Sequence, residues 1–213
     1  MASIIADAHN APVTKDMLRA ALEAERREIL AFYRSLAPDD WRQPSLCALW
    51  TVREVLAHLV TNDSTAALFL AMLRTGLKGD VANLWLVARL RERTYDELLA
   101  AWEQMVVPRG TPAAAPGPYL ADDWVHHQDI RWPLNRPRLH DPVRLRLVLD
   151  ELLKLNRKRV SGLRLVAADL GWAAGDPSDP LVEGTAEALA MGIANRSAAL
   201  ARLRGPGADQ IIS

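Results

Sequence analysis

The sequence is poor in the features that mark disulfide-stabilised and nucleic-acid-binding proteins. Its 213 residues include one cysteine, Cys47, which has no partner for a disulfide within the chain. The 26 basic and 26 acidic side chains leave no formal net charge. The basic excess typical of proteins that bind nucleic acids or anionic membranes is therefore missing. We expect neither a disulfide framework nor a nucleic-acid partner.

Long apolar runs are also missing. The longest apolar stretch, around residues 66–73, is far shorter than the ~20 apolar residues that a membrane-spanning helix needs. The N-terminal residues lack the basic segment and apolar run of a signal peptide. These observations predict a cytoplasmic protein without membrane association. Hydrophobic residues still make up 50% of the chain, which is enough for a sizeable core.

Amphipathic patterns predict helices through the first two thirds of the chain. Apolar residues recur at helical spacing from Leu18 to Leu36, and Thr51 and Thr94 are each followed three residues later by glutamate, the pattern of a capping box. No alternating strand pattern precedes residue 135. We predict a mainly α protein: a flexible tail over residues 1–13, then an antiparallel four-helix bundle over residues 14–135.

Glycine and proline set the expected boundaries inside this bundle. Thr75-Gly76 and Gly79-Asp80 are expected to form a stop and a turn, with the next helix running from about Val81 to Arg93. The prolines from 108 to 118 predict a loop without helix, followed by a helix from about Pro118 to Arg131.

The pattern changes after residue 135, and residues 136–213 are predicted to form a small α+β lobe packed on the bundle. Asp141-Pro142 is typical of a helix start, and Val143–Asn156 continues as a helix. Residues 163–166 alternate like a half-buried strand, with which residues 181–183 could pair. Thr185 is placed to cap a last helix that ends before Gly205.

Two adjacent histidines in the predicted helix before Arg131 are the first candidates for chemistry. Residues four apart lie on the same face of a helix, so Asp122 with His126, or Asp123 with His127, could chelate a metal ion. The spacing does not choose between the two pairs. His58 is the only other histidine in an amphipathic helix, and it is the candidate third ligand. The same pattern also occurs as solvated surface pairs and as histidines packed in a core.

Other catalytic motifs are absent from the sequence. It contains no H-E-x-x-H, no paired C-x-x-C, no G-x-S-x-G and no glycine-rich phosphate loop. The residues that zincins, zinc ribbons, α/β-hydrolases and P-loop proteins require are therefore missing.

Several blocks carry a resemblance to a known family. Residues 47–59 (Cys-Ala-Leu-Trp-Thr-Val-Arg-Glu-Val-Leu-Ala-His-Leu) resemble the Trp-Thr-Val-Arg-x-x-x-x-His-Leu segment of the mycothiol-dependent maleylpyruvate isomerase family, a branch of the DinB-like metal-binding bundles. Asp122-x-x-x-His126-x-x-Asp129 is similar to that family's Glu-x-x-x-His-x-x-Asp segment. Residues 162–172, 182–184 and Asn195-Arg196 are similar to its C-terminal lobe.

The resemblance implies a DinB-like bundle whose metal ligands are His58, Asp122 and His126. It selects the pair of Asp122 and His126, with Asp129 as a candidate to orient a ligand. An aspartate here replaces the family's glutamate, and Asp123 could compensate for the shorter reach. Arg196 would be the catalytic arginine, binding a carboxylate of thiol or substrate, while Asn195 replaces the family's glycine.

Two imidazoles and a carboxylate suit Zn²⁺, with Ni²⁺ or Mn²⁺ as alternatives. The implied function is that of a transferase or isomerase that uses mycothiol or a similar small thiol on a small electrophilic substrate, in a monomer or homodimer. The alternatives are a non-catalytic metal-binding stress or interaction protein, and an apolar-ligand binding protein without metal. Cys47 could be a reactive thiol at a helix start, but a small buried apolar residue is the more common role of a lone cysteine.

Overall fold

The computed structural model describes residues 12–62, 71–73 and 79–212. The predicted tail, apart from residues 12 and 13, and the predicted stop at Thr75-Gly76 lie outside these residues. The described helices are α1 (Lys15–Arg34), α2 (Val52–Asn62), α3 (Gly79–Arg89), α4 (Tyr95–Met105), α5 (Gly110–Ala114), α6 (Pro116–Arg131), α7 (Pro142–Leu155) and α8 (Ala186–Ile193). The strands are β1 (Arg164–Ala167), β2 (Trp172–Ala174) and β3 (Leu181–Gly184).

The predicted four-helix bundle is confirmed, and its members are α1, α2, α4 and α6. Helix α1 packs against α4 and α6, and α2 packs against the same two helices, which closes a four-membered ring. Both predicted capping boxes form: the Glu54 carboxylate accepts from the Thr51 backbone N–H at 2.8 Å, and Thr94 and Glu97 exchange both bonds. These local bonds start α2 and α4 at the predicted residues.

Two predicted boundaries are wrong. Residues 110–114 form a helix and α6 begins at Pro116, because proline is tolerated within the first turn, where its missing N–H has no partner to lose. Gly79 and Asp80 lie within α3 rather than forming a turn, and α3 ends at Arg89 instead of Arg93. In both places the prediction treated glycine or proline as a helix breaker, although the residue lies within a helix.

The predicted C-terminal lobe is confirmed as α7 and α8 around a three-stranded sheet of order β2-β1-β3. Strand β3 pairs with β1 in parallel, and β2, which the sequence analysis missed, pairs antiparallel to β1. Thr185 caps α8 as predicted, since its side chain accepts from the Ala188 N–H. The last helix is shorter than predicted, and a 3₁₀ turn over Ser197–Arg202 follows it.

The lobe packs on the bundle through a shared core. Ala21 and Leu22 of α1 and Trp124 of α6 lie in the same buried cluster as Leu149 of α7 and Leu165 of β1. A second cluster, centred on Ile29, Leu56 and Trp102, fills the interior of the bundle. The described part of the chain has no helix with the length and apolarity of a membrane span.

Candidate active site

The three predicted ligands lie together where α2 and α6 face each other, His58 on α2 and Asp122 and His126 on α6. The Nε2 atom of His126 is 3.6 Å from Oδ1 of Asp122, and the Nε2 atom of His58 is 3.9 Å from Oδ2 of the same carboxylate. The candidate ligand atoms of the three residues all lie within 4.8 Å of one another. Both histidines are buried, whereas 38% of the Asp122 side chain is exposed.

This arrangement fits a divalent ion. A tetrahedral ion with bonds of ~2.0–2.1 Å separates its ligand atoms by roughly 3.4 Å, close to the distances seen here. Two nitrogens and one oxygen are a donor set that Zn²⁺ accepts, and three protein ligands leave a position free for a further ligand. Asn62, one turn beyond His58, donates to Asp122 Oδ2 at 2.7 Å and holds the carboxylate in place.

The alternative pair, Asp123 with His127, lies on another face of α6 and serves the core. Asp123 accepts from Nε of the buried Arg26 at 2.7 Å. His127 Nδ1 is 2.7 Å from Glu25 Oε1, and its Nε2 accepts from Arg131 Nε at 2.8 Å. Asp123 is thus turned away from the ion site, and the expectation that it could compensate for the shorter Asp122 is wrong.

Asp129 contacts the Nδ1 atom of His126, and Arg196 in turn holds Asp129. Asp129 Oδ2 is 2.9 Å from His126 Nδ1, one turn along α6. Arg196 donates through Nε to Oδ1 and through Nη2 to Oδ2 of Asp129, both at 2.7 Å. The guanidinium fork that the sequence analysis assigned to a ligand carboxylate is therefore occupied by Asp129. A carboxylate behind a metal-binding imidazole fixes its ring orientation and tautomer.

The protonation states follow from burial and from the charges around each group. Burial, followed by the proximity of His126, lowers the pKa of His58 from 6.5 to about 4. Burial also opposes charge on His126, but Asp122 and the Asp129 hydrogen bond outweigh it and raise its pKa well above 6.5. Although burial raises the pKa of Asp129, its bonds to Arg196 and His126 hold it well below the usual range. The negative surroundings of His126 favour a cation beside it.

A cavity of about 560 Å³ opens onto the three ligands. We call it the polar cavity. It lies between the loop before α2, helices α2, α3 and α6 and the turn after α8, and its polar lining consists of Cys47, His58, Asn62, Asn83, Asp122, His126, Asn195, Arg196 and Ser197. Trp50 forms part of its wall, with its ring centroid 4.8 Å from that of His58.

Cys47 lies beside the candidate ion site, a position that its spacing in the sequence did not indicate. It packs partly against the core of the bundle, but its Sγ donates to Asp129 Oδ2 at 2.9 Å and lies 3.4 Å from His126 Nδ1. The more common role of a lone cysteine, that of a small apolar core residue, accounts for its packing against the bundle. It does not account for the polar contacts of its Sγ. Asn62 is the other contributor that the sequence analysis did not assign, because its role depends on the approach of α6 to α2.

Comparisons with known proteins agree with the fold. Residues 22–109 match the family model of the mycothiol maleylpyruvate isomerase N-terminal domain. The predicted family resemblance is thereby confirmed. A crystal structure of a histidine-to-alanine mutant of the mycothiol-dependent maleylpyruvate isomerase superposes with a TM-score of 0.63 at 13% identity, covering 94% of this chain and 95% of that one. A crystal structure of the mycothiol-dependent maleylpyruvate isomerase gives a TM-score of 0.59 at 14% identity, with the same coverage.

No curated protein sequence matches the chain. At 13–14% identity the two crystal structures establish the shared fold alone, so the architecture extends over nearly the whole chain while its chemistry rests on its own residues.

Proposed function

We propose that the protein is a divalent-metal-dependent transferase or isomerase that uses a low-molecular-weight thiol of the mycothiol type on a small electrophilic substrate. His58, Asp122 and His126 would hold the ion. The observation that carries this proposal is the convergence of the two Nε2 atoms on the Asp122 carboxylate, at the floor of a cavity large enough for small ligands. The descriptions of the structural relatives, which name a mycothiol-dependent isomerase, support the choice of thiol.

The chain's own residues prepare the site for such an ion. Asp129 accepts the hydrogen bond of His126 Nδ1, so a metal ion that displaces the Nε2 proton would bind Nε2 on the side of Asp122. Asn62 donates a hydrogen bond to Oδ2 of Asp122 and none to Oδ1. The Oδ1 atom is therefore left available to a metal ion. A bound divalent ion would supply a Lewis acid that lowers the pKa of a thiol ligand, producing a sulfur nucleophile at neutral pH.

The polar cavity suits a hydrogen-bonding thiol. Asn83, Asn195 and Ser197 line it together with the ligands and offer amide and hydroxyl groups. Trp50 and His126 enclose His58 on two sides, with ring centroids 4.8 Å from the His58 ring, and so limit the access of water to it. The reacting sulfur would thus be held close to the buried imidazoles while the polar part of the thiol contacts the amides.

Metal content tests the first half of the proposal. Protein purified without an affinity tag is analysed by inductively coupled plasma mass spectrometry, alongside the His58→Ala and His126→Ala variants. We expect about one divalent ion per chain in the wild type and a large loss in both variants. Unchanged metal content in both variants would remove the proposed centre.

Thiol chemistry tests the second half. The metal-loaded protein is incubated with an electrophile such as a maleyl or fumaryl carboxylate and with mycothiol, cysteine or glutathione in turn. We expect consumption or isomerisation of the electrophile to require both a thiol and the metal. A fully metal-loaded protein that is inactive with every thiol would favour the non-catalytic metal-binding alternative.

A further inference from the structure

Cys47 carries the single thiol of the chain and lines the polar cavity. It is half-buried and lies in the loop before α2. The Leu46 N–H donates to the Asp129 carbonyl at 2.9 Å, and the Cys47 N–H donates to Ser45 Oγ at 3.1 Å. These bonds tie the loop to α6 and hold the backbone of Cys47 beside the candidate ion site.

The sulfur of Cys47 lies between an acceptor and a cation. Its Sγ donates to Asp129 Oδ2 at 2.9 Å and accepts from Arg196 Nη2 at 3.8 Å. Asp129 thus accepts the thiol hydrogen, and the Arg196 guanidinium lies where negative charge would develop on a reacting sulfur. Cysteines that react are found in partly exposed surroundings with a cation nearby, whereas inert cysteines are packed among apolar side chains.

Two side chains of the polar cavity carry a buried polar atom that has no hydrogen-bond partner within the described part of the chain. These atoms are Nδ1 of His58, a residue that is 5% exposed, and Nε1 of Trp50. Buried polar atoms without a partner are rare in folded proteins. Two of them around one cavity indicate a site that takes up a further polar group.

We propose that Cys47 is a site of reversible modification by the disulfide form of the small thiol that the polar cavity admits. This inference rests on the proposed function, because a cavity that binds the thiol also admits the same group in its disulfide. In the exchange, Cys47–SH and R–S–S–R give Cys47–S–S–R and R–SH. The S–S bond of the disulfide breaks, a new S–S bond forms at Cys47, and the Cys47 proton ends on the released thiol. The Cys47 sulfur is oxidised and the released sulfur is reduced.

The modification switches the proposed activity off. The attached group occupies the polar cavity, and Sγ no longer has a hydrogen to donate to Asp129. A second thiol molecule then cannot reach the candidate ion, although its three proposed ligands are chemically unchanged. The expected product is a metal-loaded, inactive protein that a reductant restores, because mixed disulfides with small thiols are reversible.

Mass spectrometry of the intact protein tests this assignment, with glutathione disulfide as the probe. We expect the Zn²⁺-loaded full-length protein to gain one glutathionyl group. The rate should level off as the disulfide concentration rises, because binding in the cavity precedes exchange. Thiol-dependent activity should be lost in step with the mass increase while the metal is retained, and tris(2-carboxyethyl)phosphine should reverse both changes.

Leu49 provides a matched control position. It lies in the same loop, is 83% exposed and is not part of the lining of the polar cavity. The double variant Leu49→Cys/Cys47→Ser therefore moves the single thiol from the cavity to the solvent. Its rate of modification should rise in proportion to the disulfide concentration, without levelling off.

The outcomes separate this inference from the proposed function. An unmodified wild type under conditions that modify the double variant would overturn the assignment of Cys47. So would a rate that rises in proportion to the disulfide concentration in both proteins, or an adduct that leaves the activity intact. A protein that is inactive with every thiol, but whose Cys47 is modified at a rate that levels off, would support the modification site and refute the proposed function alone.

Discussion

Asp129 and Arg196 form a two-bond ion pair across 67 residues of sequence, with both hydrogen bonds at 2.7 Å. Arg196 follows α8 in the C-terminal lobe, and Asp129 belongs to α6 of the bundle. Because Asp129 also contacts His126 Nδ1, the lobe acts on a proposed metal ligand through Asp129. Arg196 is in this sense a positioning residue, and a bidentate guanidinium pair holds a carboxylate in one orientation.

Replacing Arg196 should therefore weaken metal binding. We expect Arg196→Gln to lower Zn²⁺ affinity about 10–100-fold, the usual effect of losing support behind a metal ligand, and Arg196→Lys to have a smaller effect because the charge is kept. Competition with a chromogenic chelator measures the affinity. Arg202→Gln is the control, since Arg202 lies at the end of the 3₁₀ turn that follows Arg196 and its guanidinium stacks on Trp132. Wild-type affinity in Arg196→Gln would contradict the role assigned to this pair.

The adjacent histidines should give opposite phenotypes. His126→Ala is expected to lose the metal and, without it, to cost less stability than His127→Ala, because the buried Asp129 keeps both hydrogen bonds to Arg196. His127→Ala should keep the metal and reduce the free energy of unfolding by about 2–4 kcal/mol, since the fully buried Glu25 and the half-buried Arg131 each lose a partner. Metal analysis and urea denaturation of both variants measure the two effects. Metal loss in His127→Ala alone would move the centre to the other face of α6.

The adjacent aspartates allow the same comparison of metal content and stability. Replacing aspartate by asparagine changes the side chain less than replacing histidine by alanine. Asp123 and Arg26 form an ion pair in which each side chain is 1% exposed, so Asp123→Asn leaves the buried Arg26 charge poorly compensated and should cost about 3–5 kcal/mol. Asp122 is partly exposed, and Asp122→Asn should reduce metal content with a change in stability below about 1 kcal/mol. Equal stability losses in the two variants would argue against this division of roles.

Stability should fall as the pH is lowered below neutrality. Burial lowers the pKa of His127 from 6.5 to about 3, and the Arg131 N–H that points at its Nε2 also requires the neutral ring. The unfolded chain therefore binds a proton between about pH 6.5 and 3 that the folded chain rejects. The free energy of unfolding decreases with falling pH across this window, by at most about 1.4 kcal/mol per pH unit from this residue.

Urea denaturation at pH 6.5, 5.5 and 5.0 with a chelator present measures this slope, because above pH 6.5 the raised pKa of His126 acts in the opposite direction. His58, with its pKa lowered to about 4 mainly by burial, acts in the same direction in the metal-free chain. His127→Gln has no group to titrate at this position and should show a smaller slope than the wild type. A wild-type stability that does not change between pH 6.5 and 5.0 would contradict the assignment of neutral, buried imidazoles at positions 58 and 127.

The elements that the sequence predicted correctly are those that local interactions determine. The capping boxes at Thr51 and Thr94 and the caps at Asp141 and Thr185 involve residues three apart, and all four form. Helical spacing likewise indicated that Asp122 and His126 share a face. It could not choose between this pair and its neighbour, and the choice came from the family resemblance.

Contacts between distant segments decided the rest. Whether His127 faces Glu25 or an ion, whether Asn62 meets Asp122, and whether the Arg196 fork turns to Asp129 all depend on segments 60 or more residues apart along the chain. Such contacts leave no periodic pattern in the sequence, because they depend on how the helices pack against one another and not on the residue spacing within any one helix. The sequence by itself determined the helices, their caps and the candidate ligands. The tertiary structure decided which of two equivalent pairs lies in the core and which faces a cavity, since only packing excludes water from one side of α6 and leaves the other open.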